Sequence, residues 1–227
     1  MRAIFFDKNL NDFVGESLEK SDAHHLINVV RLKKNEKVYL LNGRGQRATA
    51  FVCEIKKKSI IFQIEECIHE EIKARIDVAI GILKREALEE SIRSLTEMGI
   101  KRVYLLSSER SQSYKINYER LEKIMISALE QSNNLYMPKV EACLLSEIVY
   151  EDYDNIFVCD IDASANSKQP IDKENENLIL IGPEGGFTQD ELESNLPESI
   201  HKLSFNTPIL RAKTACVFAI GYIYSLI

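Results

Sequence analysis

The run Leu178-Ile-Leu-Ile-Gly-Pro-Glu-Gly-Gly-Phe-Thr-Gln-Asp-Glu191 constrains the fold of this chain more than any other stretch, because an apolar strand leads straight into a glycine loop and a capped helix. Leu178 to Ile181 stand between the polar residues 175–177 and Gly182-Pro183, which is the pattern of a strand buried on both faces. Gly185 and Gly186 open backbone angles closed to other residues and leave the main chain bare for a ligand. Thr188 and Glu191 stand at capping-box spacing, so a helix is predicted to begin near Gln189. Taken alone, the glycines suit a plain strand-to-helix connection as well as a binding loop. Neither the Gly-x-x-x-x-Gly-Lys-Ser/Thr phosphate loop nor the Gly-x-Gly-x-x-Gly fingerprint occurs, so the loop is not expected to hold a polyphosphate.

Around this loop the chain reads as two parts. From about Arg75 onward, short apolar runs at 76–80, 102–106, 155–159, 178–181 and near 202–205 alternate with helical stripes. One stripe is Leu88, Ile92, Leu95 and Met98, stopping at Gly99; the other is Leu121, Ile124, Met125, Ala128 and Leu129, with Asn117 placed to cap it. That alternation predicts a mainly parallel sheet with crossover helices, and such sheets bind ligands outside the carboxyl ends of their strands. Residues 1–72 instead suggest a small β-barrel, with strands at 3–6, 37–41, 48–55 and 60–64 and one helix near 22–30. The second domain is then 73–227. Its polar segment 160–177, with Pro170, is expected to be a surface excursion.

Charge separates the same two parts. The net charge is −6, which argues against general affinity for nucleic acid. Residues 1–74, however, hold 13 Lys and Arg against 11 Asp and Glu, leaving 16 against 24 for the remainder. The basic clusters Arg31, Lys33, Lys34 and Lys37, then Arg44 and Arg47, then Lys56 to Lys58, make the barrel the better RNA anchor.

Cys53, Cys67, Cys143, Cys159 and Cys216 are odd in number and form no C-x-x-C, which suggests neither a disulfide framework nor a zinc site and fits a cytoplasmic protein. Adjacent His24 and His25 point different ways on a helix, so no metal is expected. The apolar run 215–227 falls short of the roughly 20 residues that a spanning helix needs. It reads as a buried helix at a core or subunit contact, with no membrane partner.

Two segments, Gly182-Pro-Glu-Gly-Gly-Phe-Thr-Gln-Asp-Glu191 and Leu203-Ser-Phe-Asn-Thr-Pro-Ile-Leu-Arg-Ala-Lys-Thr-Ala215, together resemble the RsmE-type family of 16S rRNA uridine-N3 methyltransferases, of the knotted SPOUT class. Further stretches fall in the family's order: His24 to Lys33 with Asn42-Gly-Arg-Gly45, Lys84 to Gly99, Ser108 to Ser111, and Glu130-Gln-Ser132 with Pro138. The resemblance implies a PUA-like barrel ahead of a SPOUT-type α/β domain with a C-terminal trefoil knot. It further implies S-adenosylmethionine as methyl donor, 16S rRNA in the small ribosomal subunit as partner, and a homodimer. Three positions depart from the pattern. Lys213 stands where the family usually has Glu, Asn206 where Gly is usual, and Asn134 and Tyr136 near positions that are usually basic.

On this reading Ile181, Gly182, Pro183, Glu184, Gly185, Gly186, Leu203, Ile209 and Leu210 form the donor site. Arg211 is the expected catalytic residue, a guanidinium that steadies the negative charge left on uracil carbonyl oxygens as the N3 proton departs. Arg31, Lys33, Arg44, Arg110 and Gln131 are the expected RNA contacts. The base stays open among Glu184, a deprotonated Lys213 and solvent. Two alternatives accompany the reading: an RNA-binding assembly protein without methyl transfer, because of Lys213, or a SPOUT enzyme acting on another RNA.

Overall fold

The computed structural model describes residues 1–21, 23–71, 75–160 and 171–227. The chain divides into two compact units, Met1–Ile72 with Ile126–Met137, and Lys73–Met125 with Pro138–Ile227.

The first unit is built on a five-stranded mixed sheet of order β1-β3-β4-β5-β2, from β1 (Arg2–Phe5), β2 (Ser17–Lys20), β3 (Lys37–Leu41), β4 (Gln46–Ile55) and β5 (Ile60–His69). β1 runs parallel to β3 and the other pairs are antiparallel. Alternating residues of the long β4–β5 hairpin, among them Val52, Phe62 and Ile64, close a core with Ile4, Leu18 and Leu40. A short helix, α1 (His24–Asn28), supplies Leu26 to that core. Residues 126–137 join the unit through Leu129 and Leu135, which pack on Leu41. The half-buried Glu130 carboxylate accepts from the Phe5 amide at 2.8 Å, and Lys20 Nζ donates to the Phe5 carbonyl at 2.6 Å. Burial raises the pKa of Glu130 and lowers that of Lys20.

The second unit carries a six-stranded parallel sheet of order β11-β9-β10-β6-β7-β8. Its strands are β6 (Ile76–Gly81), β7 (Arg102–Leu106), β8 (Lys139–Cys143), β9 (Asn155–Cys159), β10 (Asn177–Ile181) and β11 (His201–Leu203). β10 is buried at every position, as its continuous apolar run requires of a central strand. Leu178 and Leu180 face a cluster with Leu145, Val158 and α4 (Gln189–Asn195). α2 (Arg85–Glu97) packs against α5 (Ala212–Tyr224), and α5 against β10. The α2 stripe stops where Gly99 adopts φ +77°, and the Asn117 side chain caps α3 (Tyr118–Ser132) by accepting from the Arg120 amide at 3.0 Å.

The sheets differ from expectation at their edges. β2 and β8 are additional strands, both at sheet edges, where one face meets solvent and no apolar run is needed. β11 ends at Leu203, short of Phe205, and α5 starts at Ala212, ahead of Ala215. Asp22, the junction 72–74 and most of the expected excursion 160–177 lie outside the described residues.

Candidate functional site

The glycine loop leaves β10 at the carboxyl edge of the parallel sheet, and its glycines do three different jobs. A Cβ on Gly182 would sit 2.9 Å from Gly186 Cα and from the Phe187 nitrogen, so only a bare residue lets the loop fold back on itself. Gly186 adopts φ +69°, the left-handed region that disfavours side chains. Gly185 lacks a positive φ; it is bare because Arg110 lies across it, its Cδ 3.0 Å from where a Cβ would stand. From β6, Gly81 tucks under Pro183, leaving 2.5 Å for any Cβ. The loop is thus wedged between two neighbouring strand ends.

Its exit is fixed by the capping box. Thr188 Oγ1 accepts from the Glu191 amide at 3.2 Å, and Glu191 Oε2 accepts from the Thr188 amide at 2.9 Å. The second carboxylate oxygen of Glu191 accepts from the Glu109 amide at 2.8 Å, and Arg110 Nη1 donates to the Gly185 carbonyl at 2.7 Å. The segment after β7 therefore clamps the loop twice. Arg110, expected from the sequence to contact RNA, is exposed and also holds the loop.

Between this loop and the segment after β11 lies a cavity of about 320 Å³. Ile181, Gly182, Pro183, Glu184 and Gly186 form one side, and Leu203, Ile209 and Leu210 the other, with Arg211 at the rim. Of the nine residues expected to form the donor site, only Gly185 is absent from this lining; its carbonyl is turned to Arg110. The sequence reading missed Cys159 and Asp160, which the parallel pairing of β9 with β10 brings alongside the loop. It also missed Ser204, Phe205, Thr207, Pro208, Ala212 and Ala215. The signal for Cys159 and Asp160 was their place at a strand's carboxyl end.

Few charges are tied down at this cavity. Arg211 is the N-cap of α5, with ψ 148°, and neither its guanidinium nor the Glu184 carboxylate makes a hydrogen bond or ion pair among the described residues. An unpaired cation at a helix start opposes the helix dipole, so the fold gains nothing from it there. Burial pushes the Cys159 thiol up to about 12, which keeps it neutral at the cavity wall. Lys213 is drawn to Glu90 of α2 by an ion pair and does not line the cavity. The walls offer backbone donors and acceptors, an apolar surface and one free carboxylate, which fits a nucleoside carrying a sulfonium.

The remaining sequence candidates lie in the first unit. Arg31 and Lys33 are exposed, Arg31 at φ +55°. Arg44 pairs with Asp7 at 2.5 Å, both side chains more than half exposed, so that pair is readily exchanged for a phosphate. Gln131 is exposed.

Residues 70–224 match the model of a family described as an RNA methyltransferase domain, and residues 18–65 match an RNA methyltransferase PUA domain. The Ribosomal RNA small subunit methyltransferase E of Rickettsia conorii is 30% identical, over 88% of this chain and 85% of that protein. A Legionella pneumophila structure in complex with bound S-adenosylmethionine superposes with a TM-score of 0.83 at 26% identity, over 98% of this chain and 96% of that one. The Ribosomal RNA small subunit methyltransferase E of Neisseria gonorrhoeae shares the fold, with a TM-score of 0.85 at 23% identity, over 100% of this chain and 98% of that one.

Proposed function

The chain belongs to the RNA methyltransferase family of the ribosomal RNA small subunit methyltransferase E type, and on that premise we propose that it methylates N3 of a specific uridine in 16S rRNA near the decoding site, with S-adenosylmethionine as donor. The observation that carries this reading is the cavity itself, where eight of the nine expected donor-site residues meet beside an unpaired guanidinium.

When S-adenosylmethionine is bound, it supplies a methyl carbon on a sulfonium: the N3 lone pair takes that carbon as the C–S bond breaks, and the N3 proton leaves. The residues of this chain prepare that exchange. The backbone of 181–186 holds the adenosine, and Leu203, Ile209 and Leu210 wall off water. Glu184 is the free acid at the cavity, available to a ribose hydroxyl or to the departing proton. Lys213 takes no part as a base, since Glu90 holds its ammonium outside the cavity. Arg211 donates to a uracil carbonyl oxygen as negative charge grows there, a contact worth about 3 kcal/mol in comparable sites.

Arg31, Lys33, Arg44 and Gln131 anchor the RNA on the first unit, and Arg110 acts through the glycine loop. The trefoil knot implied by the family belongs to this reading, as do a cytoplasmic location and a homodimer. Exposed Val217 and Phe218 on α5, with Phe205 edge-on to Phe218 at 4.8 Å, supply an apolar face for the subunit contact. A reading without methyl transfer gains nothing from Lys213, which lies off the cavity. The test is mass spectrometry of rRNA nucleosides with and without the gene: 3-methyluridine is expected to vanish from small subunits and to return with the wild-type gene. Unchanged 3-methyluridine rejects the proposal.

A further inference from the structure

A second and larger cavity, about 690 Å³, opens in the same unit between the start of α2 and the segment leading into α3. Its volume lies within the range of about 300–1,000 Å³ common to small-molecule clefts. Four lining residues give it a chemical character distinct from the donor site. The Arg85 guanidinium stands over the Tyr114 ring at 5.7 Å, a cation and an aromatic face already stacked. Tyr118 is 47% exposed and presents a bare ring. Lys115 is exposed and makes no ion pair or hydrogen bond among the described residues. Two acids also line the cavity: Glu89 is neutralised by Arg120 at 3.0 Å, and Glu119 is exposed.

Both walls run back to the glycine loop. One wall continues from Gly81, packed beneath Pro183, through Leu83 to Arg85. The other continues from Arg110, bonded to Gly185, through Gln112, whose amide donates to the Ile82 carbonyl at 2.8 Å, to Tyr114. The Tyr114 hydroxyl donates to the Leu83 carbonyl at 2.9 Å and ties the two walls together. A strand whose reacting base sits at the donor cavity would therefore have an aromatic and cationic recess within the same sheet edge.

We propose that this recess, formed by Arg85, Tyr114, Lys115 and Tyr118, takes an unpaired nucleotide of the substrate RNA next to the target uridine. It rests on the methyltransferase reading above. Stacking on an exposed tyrosine suits a base pulled out of a helix, and an unpaired lysine suits its phosphate. Both partners lose little on binding, because neither makes an ion pair or hydrogen bond among the described residues. The recess is thus a positioning site that sets which RNA is methylated.

The experiment uses the full-length chain and small ribosomal subunits from cells lacking the gene. Binding of subunits over a range of salt, steady-state methyl transfer, affinity for S-adenosylmethionine and light scattering are compared for wild type, Tyr118→Ala, Tyr118→Phe and Lys115→Ala. Tyr118→Ala is expected to weaken subunit binding and raise KM about tenfold, with kcat and donor affinity unchanged, and Tyr118→Phe to restore both. Lys115→Ala is expected to lower the slope of log affinity against log salt by about 0.7. Wild-type binding and KM in both alanine variants, with methyl transfer intact, overturn the inference and leave the function standing. Failure of wild type to bind S-adenosylmethionine rejects the function instead, and the subunit-binding comparison still decides the recess. A change of oligomeric state in the variants identifies the recess as a subunit contact and overturns the proposal as well.

Discussion

At the amino ends of β6, β7 and β8, charged groups close on one another, whereas toward the carboxyl ends of β9, β10 and β11 only Asp160 is tied down, to Lys202 at 2.9 Å, and Glu184 and Arg211 are left open among the described residues. In the first region Asp77, buried to 3% exposure, accepts from the Tyr153 hydroxyl at 2.7 Å. Tyr153 meets Tyr104 at 3.2 Å, and Arg102 donates to Tyr104 at 2.6 Å while facing Glu141 at 3.8 Å. In the second region Glu184 and Arg211 stand at the cavity with no such partner among the described residues. One sheet thus spends its polar groups on cohesion at one end and keeps Glu184 and Arg211 available at the other. Substitutions at the two ends are expected to separate cleanly, stability at the closed end and chemistry at the open end.

The largest effect is expected at the open end. Arg211→Ala is predicted to lower kcat by about 100- to 1,000-fold, with thermal stability and donor affinity near those of wild type. A loss of stability as large as the loss of rate would merge the two ends and break the contrast. At the closed end, Tyr153→Phe removes the one side-chain hydrogen bond that the Asp77 carboxylate accepts among the described residues, leaving it only Arg102 at 3.9 Å, since Asp77 Oδ1 has no partner among them. A loss of about 1–3 kcal/mol in denaturant unfolding is predicted, with kcat unchanged. A drop in kcat without loss of stability would place Tyr153 in the chemistry.

The smallest effect is a pH dependence. Burial raises the Asp77 pKa above its ordinary 3.8, against the opposing pull of Tyr153 and Arg102. Proton linkage then gives a contribution to stability that is full below about pH 3.8 and is lost as pH rises through the folded-state value. Asp77→Asn cannot ionise. Its stability relative to wild type should therefore climb as pH rises above 3.8 and level off beyond the folded value. A flat difference across that range would show that burial does not raise the Asp77 pKa.

The sequence made the open end far more legible than the closed one. Gly186 and the Thr188–Glu191 box are local features whose backbone demands are visible in the chain itself, and the structure places them as those demands require, whereas Gly185, expected to need such an angle too, lacks a positive φ and Gly182 is needed bare for the loop's close approach. Cys159 and Asp160 reach the cavity only through the pairing of β9 with β10, which no local pattern encodes. Arg110 is exposed, as expected of an RNA contact, but its bond to the Gly185 carbonyl is a tertiary fact that the sequence does not show. The same limit hid β8, whose sequence Lys-Val-Glu-Ala-Cys carries the charges of the closed network. It hid the association of residues 126–137 with the first unit as well.

The account rests on the cavity between the glycine loop and residues 203–211 being the seat of the methyl donor. A crystal structure with S-adenosylmethionine tests it most directly. The predicted result is adenosine against Ile181, Gly182, Leu203 and Leu210, with the methyl group turned toward Arg211. Donor bound elsewhere on the chain, or an empty cavity at saturating donor, would contradict it.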